Sequence, residues 1–211
     1  MARKGDLVGV KQLLQEYPTL LNTKSAGHNR TLLWEATRRN RLDLVKFLLK
    51  RGANVNIPGR HRNESFVLIK PYTVATVFKR APLREMLLTS GTTMDIYTTC
   101  FLGDQERVKE LIRKNPKIVN EEQQEESVWR VVPLHHAISG GHKELAEFLI
   151  KKGAQVRPYS QLLLEMAGSR EDMLTMLLHH GLDASSVGGR CLGESAGGNG
   201  TSIDQERRRC E

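Results

Sequence analysis

Three histidines within a span of eight residues are the first side chains in this chain that could do chemistry. His135, His136 and His142 each carry an imidazole that could bind a zinc ion. A zinc site needs three or four converging ligands, and no cysteine or further histidine lies at the usual spacing from these three. We therefore expect no metal site at this stretch.

The cysteines give no better evidence for catalysis. Cys100, Cys191 and Cys210 are odd in number and widely scattered, so they fit a reducing environment better than a disulfide framework. The sequence contains no nucleophile elbow, no phosphate-binding loop and no Glu-flanked histidine pair. We predict that the protein is not an enzyme, has no catalytic residues and uses no cofactor.

The composition is that of an ordinary soluble chain. Of its 211 residues, 39% are hydrophobic and 27% are charged. No apolar run approaches the length of a membrane-spanning helix. The first residues include Arg3 and Lys4 but lack the apolar core of a secretory signal. These features predict a cytoplasmic protein that does not associate with membranes.

Positive charge is concentrated in one segment. The net charge of the whole chain is +8, yet residues 30–84 contain thirteen Lys or Arg and only three acidic residues. The remainder of the chain is slightly acidic. The basic segment is either an ordinary solvated helix surface or a surface that steers an acidic partner towards the protein.

Residues 132–156 show which elements could position these side chains. A short helix begins at Pro133, a Gly-Gly pair interrupts it, and a second helix runs from about residue 142 until Gly153 ends it. The apolar residues of the second helix share one face, with Lys and Glu on the other. Neither helix can bury its apolar face alone, which predicts stacking against neighbouring units.

The same stretch resembles the ankyrin repeat. The positions that agree with the repeat pattern are Pro133, Leu134, His135, Ala137, Gly141, His142, Glu144, Leu145, Phe148, Leu149, Ile150, Gly153, Ala154 and Val156. The resemblance implies an all-α, ankyrin-type α-solenoid of stacked helix–turn–helix repeats. It extends over residues 1–183, as a partial first repeat at 1–22 and repeats at about 27–56, 70–91, 94–120, 131–156 and 160–183. Residues 184–211 are rich in Gly and Ser, and we expect them to form a disordered tail.

The resemblance also implies local structural roles. In the repeat pattern, His135 and His142 are structural residues that bond between turns. Trp34 occupies, in the second repeat, the position that His135 occupies in the fifth. The turn between the paired helices, where the repeat pattern has glycine, is assigned to Lys79 in the third repeat and to Ser169 in the sixth. The acidic residues expected to cap helix starts are Asp6, Asp43, Asp104 and Glu144.

For function, the resemblance implies a non-catalytic module that binds another protein through its concave groove and finger loops. In the family, two positions near the end of each first helix line this groove. Here these pairs are, in chain order, Arg3–Lys4, Arg38–Arg39, Val77–Phe78, Phe101–Leu102, Ser139–Gly140 and Ala167–Gly168. The groove is therefore predicted to be basic at its start and apolar in its middle, which suits a partner with an acidic or amphipathic surface. With two arginines from the long loop after the second repeat, the predicted partner-binding residues are Arg38, Arg39, Arg60, Arg62, Phe78 and Leu102.

Two other functions remain open at this point. The basic segment would suit a nucleic-acid-binding accessory protein, although the groove offers no regular row of aromatic side chains for base stacking. The repeats could also form a structural array that only spaces or orients other domains. We expect a stand-alone monomer, and we expect the side chains of Arg38 and Arg39 to face solvent.

Overall fold

The structure, a computed structural model, describes residues 6–26, 29–60, 67–123 and 130–186. Eleven α-helices lie within these residues: α1 (Leu7–Glu16), α2 (Leu32–Arg38), α3 (Leu42–Lys50), α4 (Pro71–Val77), α5 (Ala81–Thr89), α6 (Ile96–Leu102), α7 (Gln105–Lys114), α8 (Pro133–Gly140), α9 (Lys143–Lys151), α10 (Ser160–Ala167) and α11 (Glu171–His179). Two short strands, β1 (Gly59–Arg60) and β2 (Leu68–Ile69), pair antiparallel in the loop before α4.

The helices after α1 form five consecutive pairs, each joined by a short turn. The first helices of successive pairs, α2, α4, α6, α8 and α10, pack side by side along the molecule. This is the all-α solenoid that the sequence predicts. We number the pairs as repeats two to six, with α1 as the described part of repeat one. Most of the predicted tail, residues 187–211, lies outside the described residues.

The turn inside each pair contains one residue with a left-handed backbone. These residues are Asn40 (φ 57°), Lys79 (φ 54°), Gly103 (φ 75°), Gly141 (φ 83°) and Gly168 (φ 57°). Glycine adopts this conformation without steric cost, whereas the Cβ of lysine crowds the backbone. Lys79 occupies the turn position as predicted. The assignment of Ser169 is wrong, because the loop of repeat six is one residue longer than that of repeat five and Gly168 makes the turn.

Acidic residues cap two of the four helices for which caps were predicted. The carboxylates of Asp6 and Asp104 accept the backbone N–H three residues further on, at 2.8 and 3.1 Å. The prediction is wrong for Asp43 and Glu144, because each is the second residue of its helix and does not occupy the N-cap. Their charges still lie in the first turn, where the helix dipole favours an anion.

The apolar core is divided between the two halves of the solenoid. One cluster of buried side chains joins repeats one to three, and another joins repeats four to six. A smaller cluster, formed by Trp34, Val67, Ile69, Val74, Phe101, Val131 and Leu162, links the two halves. Trp34 also donates its indole N–H to the carbonyl of Ile69 at 2.8 Å, which fixes the base of the β1–β2 hairpin against α2.

Repeats three and four meet through polar groups. The buried Lys70 ammonium donates to Asp95 at 2.5 Å and to the carbonyl of Thr93 at 2.9 Å. Asp95 also caps α6 by accepting the N–H of Thr98 at 2.8 Å. Burial alone would raise the pKa of Asp95, but the bonds and charge of Lys70, with the Thr98 N–H, lower that pKa below its ordinary value.

Repeats four and five meet through backbone and an imidazole. Nε2 of His142 lies 3.0 Å from the carbonyl oxygen of Phe101, to which it donates, so the predicted bond between turns is confirmed. The ring lies directly over Gly103, where a Cβ atom would be 2.5 Å from it. A Cβ on Gly140 would collide with the Phe101 carbonyl. These glycines therefore permit the close approach of the two repeats.

Candidate functional site

The candidate binding surface is the row of helix ends formed by α2, α4 and α6. The two positions expected to line a groove carry Arg38 and Arg39 in repeat two, Val77 and Phe78 in repeat three, and Phe101 and Leu102 in repeat four. Because the three helices pack side by side, these ends follow one another along the molecule. The chemistry of the row changes from basic to apolar at the step from repeat two to repeat three.

In repeat two, Arg38 and Arg39 both contact one buried carboxylate. Nε of Arg39 donates to Glu35 at 3.2 Å, and Nε of Arg38 lies 3.6 Å from the other oxygen of the same side chain. The Arg39 side chain is 42% exposed and faces solvent as expected, whereas that of Arg38 is only 25% exposed. Arg38 is therefore held partly against the protein by its ion pair with Glu35.

A third arginine, which sequence reasoning missed, joins this group from the start of α2. Arg30 is buried, stacks over the ring of Trp34 at 4.5 Å, and places a guanidinium nitrogen 3.5 Å from Glu35. Its Nε donates to the carbonyl of Arg60 in β1 at 2.7 Å. We call Arg30, Glu35, Arg38, Arg39 and Arg60 the arginine network. A repeat pattern could not have indicated Arg30, because its role depends on a loop thirty residues further along the chain.

The predicted residue Arg62 lies outside the described residues. Arg60 is half-buried, and its backbone, at the base of the hairpin, contacts the network directly. The structure therefore joins Arg38 and Arg39 through Glu35, and it joins the Arg60 backbone to the same carboxylate through Arg30.

The middle of the row exposes apolar side chains. Val77 and Phe78 are 42% and 38% exposed, and they are two of the six large apolar residues that are exposed in the described part of the chain. Leu102 is half-buried on the next repeat, and its neighbour Phe101 is buried in the small linking cluster. The apolar part of the surface is therefore formed by Val77, Phe78 and Leu102, beside the arginine network.

Two adjacent histidines are buried behind this surface at the start of α8. Nδ1 of His135 accepts the N–H of Val132 at 3.0 Å, which confirms its structural role. Nε2 of His136 lies 3.1 Å from the Gln123 side-chain oxygen. Burial lowers the pKa of His135 to about 4, and burial with the neighbouring imidazole lowers the pKa of His136 to about 3. Both rings are therefore neutral at physiological pH.

Sequence comparison identifies the repeats. Residues 96–187 match the family model for three copies of the ankyrin repeat, and residues 28–60 match the model for a single ankyrin repeat. The chain belongs to the ankyrin repeat family. Ankyrin repeats generally act as protein–protein interaction modules.

Individual ankyrin-containing relatives are distant. The chain is 25% identical over 138 residues to the human transient receptor potential cation channel subfamily A member 1. The matched segment covers 61% of this chain and 11% of the channel. The chain thus spans about a ninth of the length of that relative.

Among solved structures, the chain is similar to that of the predatory endopeptidase Bd0816 from Bdellovibrio bacteriovorus in complex with the immunity protein Bd3460. The identity is 22%, with 84% of this chain and 94% of that chain covered and a TM-score of 0.40. It is also similar to the human ASB11 ankyrin repeat domain, with 21% identity, coverage of 86% and 82%, and a TM-score of 0.37.

The free cysteine found among the described residues is buried. Cys100 is buried in α6, and burial strongly raises the pKa of its thiol, so the reactive thiolate is disfavoured. The described residues contain no group of three or more His, Cys, Asp or Glu that could hold a metal ion. Within the same residues, no helix is both long and apolar enough to cross a membrane.

Proposed function

We propose that this ankyrin repeat chain is a non-catalytic module that binds a protein partner through the concave side of its first helices. The partner would contact Arg38, Arg39 and Arg60 with an acidic group and would place an apolar group against Phe78 and Leu102. Arg62, which lies outside the described residues, is the remaining predicted contact. The positive charge would steer the partner towards the surface, and the desolvated apolar contact would supply most of the binding free energy.

The observation that carries this proposal is the exposure of Val77 and Phe78 at the helix ends beside the arginine network. Exposed aromatic side chains flanked by arginine are the typical composition of binding hot spots. The helix ends lie on rigid, packed elements, so a partner would meet a preformed surface.

Nucleic acid is the second candidate, and the surplus of arginine over carboxylate in repeat two favours it. Its binding would be dominated by phosphate contacts and would weaken steeply with salt, with little preference for sequence. A protein partner anchored on Phe78 would instead keep much of its affinity at high salt, because the apolar contact is not screened.

The two candidates can be separated by site-specific photocrosslinking. A benzophenone amino acid placed at Phe78 or at Leu102 should capture the same protein from a native lysate. The same probe at Leu88 in α5 or Leu178 in α11, which are 48% and 51% exposed on second helices, serves as the matched control. The adduct should be lost when excess unlabelled protein is added.

Capture at Leu88 or Leu178 but at neither Phe78 nor Leu102 would contradict the proposed surface. An adduct at Phe78 that disappears after nuclease treatment would replace the protein partner by nucleic acid.

A further inference from the structure

A small cavity lies at the N-terminal ends of the first helices of repeats three to five. It is lined by Thr73 near the start of α4, by Thr98 near the start of α6 and by His136 near the start of α8. Its volume is about 10 Å³, counted as the space open to the centre of a water molecule. That is the space of one water molecule. The candidate binding surface lies at the C-terminal ends of α2, α4 and α6, so the cavity is separate from it.

Two buried polar atoms at this cavity have no hydrogen-bond partner in the described part of the chain. They are Oγ1 of Thr73 and Nδ1 of His136. Their residues are 0% and 1% exposed, so both atoms are closed off from bulk water. Buried polar atoms in proteins are nearly always hydrogen-bonded, either to the protein itself or to ordered water. Because both side chains line a space that holds one small molecule, a single molecule there can bond to both.

The hydrogen bonds of Gln123 fix which ring nitrogen of His136 carries the proton. The side-chain nitrogen of Gln123 donates to the carbonyl of Leu68 at 3.3 Å, and a carbonyl oxygen can only accept. The side-chain oxygen of Gln123 therefore faces Nε2 of His136, at 3.1 Å, and Nε2 must be the donor. Burial and the neighbouring imidazole lower the pKa of His136 to about 3, so the ring is neutral and Nδ1 carries a lone pair. Nδ1 therefore needs a donor.

The groups around the cavity determine the kind of molecule that fits. An anion is disfavoured, because the lone pair of Nδ1 needs a donor. A cation is disfavoured, because Lys70, itself a buried cation, lines the same cavity. The neutral molecule of this size that both donates and accepts is water. Asp95 also lines the cavity and is an acceptor for the second hydrogen of the water.

We propose that the cavity is a binding site for one ordered water molecule, which donates to Nδ1 of His136 and accepts from the hydroxyl of Thr73. The water joins α4 of repeat three to α8 of repeat five, two helices between which α6 packs. It also completes a chain of hydrogen bonds from Thr73 through His136 and Gln123 to the carbonyl of Leu68 in β2. Repeats three and five and the β1–β2 hairpin are therefore joined by one polar network.

A crystal structure of the full chain tests the proposal directly. At a resolution that shows ordered solvent, one water molecule should lie within hydrogen-bond distance of both Oγ1 of Thr73 and Nδ1 of His136. Nitrogen NMR of protein with isotope-labelled histidine reads the ring independently. Nε2 of His136 should be protonated, and Nδ1 should be an unprotonated acceptor. Both measurements use the unaltered protein, so they do not depend on the folding of a variant.

A matched pair of variants tests the hydroxyl of Thr73. Thr73→Val replaces this hydroxyl by a methyl group of similar size, and one long-lived water should be lost from the magnetic relaxation dispersion of water oxygen. The Nδ1 signal of His136 should shift in the same variant. Thr37→Val is the control, because Thr37 is equally buried but its hydroxyl donates to the carbonyl of Leu33 at 2.8 Å. The control should keep the long-lived water and the Nδ1 signal.

Several results would overturn the water site. A cavity without ordered solvent in the crystal structure is one, and a hydroxyl of Thr73 bonded directly to Nδ1 of His136 is another. A proton on Nδ1 would remove the acceptor on which the site depends. Equal relaxation dispersion in Thr73→Val and in the unaltered protein would show that no long-lived water is bound there. The proposed partner surface is tested separately, by the photocrosslinking at Phe78 and Leu102.

Discussion

Both junctions contain buried apolar side chains, but repeats three and four are also joined by charged and hydroxyl groups, whereas repeats four and five are also joined by glycine backbone and an imidazole. At the first junction, Lys70 is held by Asp95 and Thr93. At the second, His142 lies over Gly103 and bonds to Phe101. The two junctions occur between units of the same design, so the repeat pattern specifies the helices but leaves the chemistry of each junction to individual side chains.

The difference bears on how the solenoid divides. Stability in repeat proteins is a sum of repeat and junction terms, so a junction of a different kind is a natural boundary for partial unfolding. The boundary between the two large apolar clusters falls at the polar junction. Beside it, Thr73 and His136 each have a buried polar atom with no hydrogen-bond partner among the described residues, in a small cavity that both side chains line. We therefore expect repeats one to three and repeats four to six to respond separately to perturbation.

The largest expected effect is that of acid on repeat five. An unfolded histidine titrates near pH 6.5, whereas His135 and His136 have folded pKa values of about 4 and about 3. Because the folded state resists protonation, their stabilising contribution is complete above pH 6.5 and is lost as the pH falls towards the folded pKa values. Between pH 7 and pH 5, the free energy of unfolding should fall by about 4 kcal/mol, as measured by urea denaturation.

The same experiment separates the two junctions. The pKa of Asp95 is below its ordinary value, so the stability from its pair with Lys70 is present above pH 4 and is lost only in stronger acid. Hydrogen exchange at pH 5 should therefore accelerate first in α8. His135→Gln should reduce the loss between pH 7 and pH 5 to about half. A free energy of unfolding that does not change over this interval would contradict the prediction.

The second effect is that of breaking the polar junction. Lys70→Met keeps the aliphatic length of the side chain but leaves the Asp95 carboxylate without its cation. The free energy of unfolding should fall by about 3 kcal/mol, because a partly buried charge loses its partner. Equilibrium unfolding followed by probes in each half should then give two transitions in place of one.

Two controls make this result specific. Lys109→Met removes an exposed ion pair with Glu106 at 2.8 Å and should change stability by less than about 0.5 kcal/mol. Adding Asp95→Asn to Lys70→Met should recover part of the loss, since no uncompensated charge then remains. Coincident transitions of the two halves in Lys70→Met would show that the polar junction is not a boundary.

The contrast between the junctions also explains what could be predicted from the sequence. Apolar periodicity and glycine positions indicated the helices and most of the turns, and the resemblance to the ankyrin repeat indicated the structural roles of His135 and His142. These features depend on residues close together in the chain. The Lys70–Asp95 pair could not be predicted, since neither residue belongs to the repeat pattern and they are brought together only by stacking. The same is true of Arg30, whose bond to Arg60 depends on the register of the hairpin.

The candidate site likewise has features that the repeat pattern predicts and features that depend on individual side chains. The positions of Arg38, Arg39, Phe78 and Leu102 at successive helix ends followed from counting along each repeat. The buried carboxylate of Glu35, which holds the two arginines, lies at a position that amphipathic periodicity cannot distinguish from an ordinary surface residue. The pattern therefore placed the side chains on the surface without indicating what orients them.

The third prediction concerns the close approach of repeats four and five. Gly140 does not have a left-handed backbone, so Gly140→Ala adds no backbone strain, but the new methyl group would collide with the Phe101 carbonyl and with the His142 ring. Repeat four must shift to accommodate it, and stability should fall by about 2 kcal/mol. The Nε2–carbonyl bond of His142 should weaken in the same variant, which a shift of its imidazole NMR signals would report.

The matched control for Gly140→Ala is Gly52→Ala. A Cβ on Gly52 would meet no atom within 4 Å, but its φ of 83° imposes the cost of a left-handed backbone, about 1 kcal/mol. A loss at Gly140 that does not exceed the loss at Gly52 would mean that the two repeats do not depend on the close approach.

The smallest effect is a gain in stability within repeat three. Lys79 holds a left-handed backbone with φ 54° in the turn where repeats four and five have glycine. Lys79→Gly removes the steric cost of the Cβ atom, and part of that gain is offset by the greater freedom of glycine in the unfolded chain. The net increase in the free energy of unfolding should be about 1 kcal/mol by urea denaturation.

Lys79→Ala retains the Cβ atom and should give no increase, and Asn40→Gly should give a smaller one, since asparagine tolerates this conformation. If the polar junction is the boundary, the gain should delay unfolding of repeats one to three and leave hydrogen exchange in repeats five and six unchanged. An equal gain from alanine and glycine at position 79 would show that the turn is not strained.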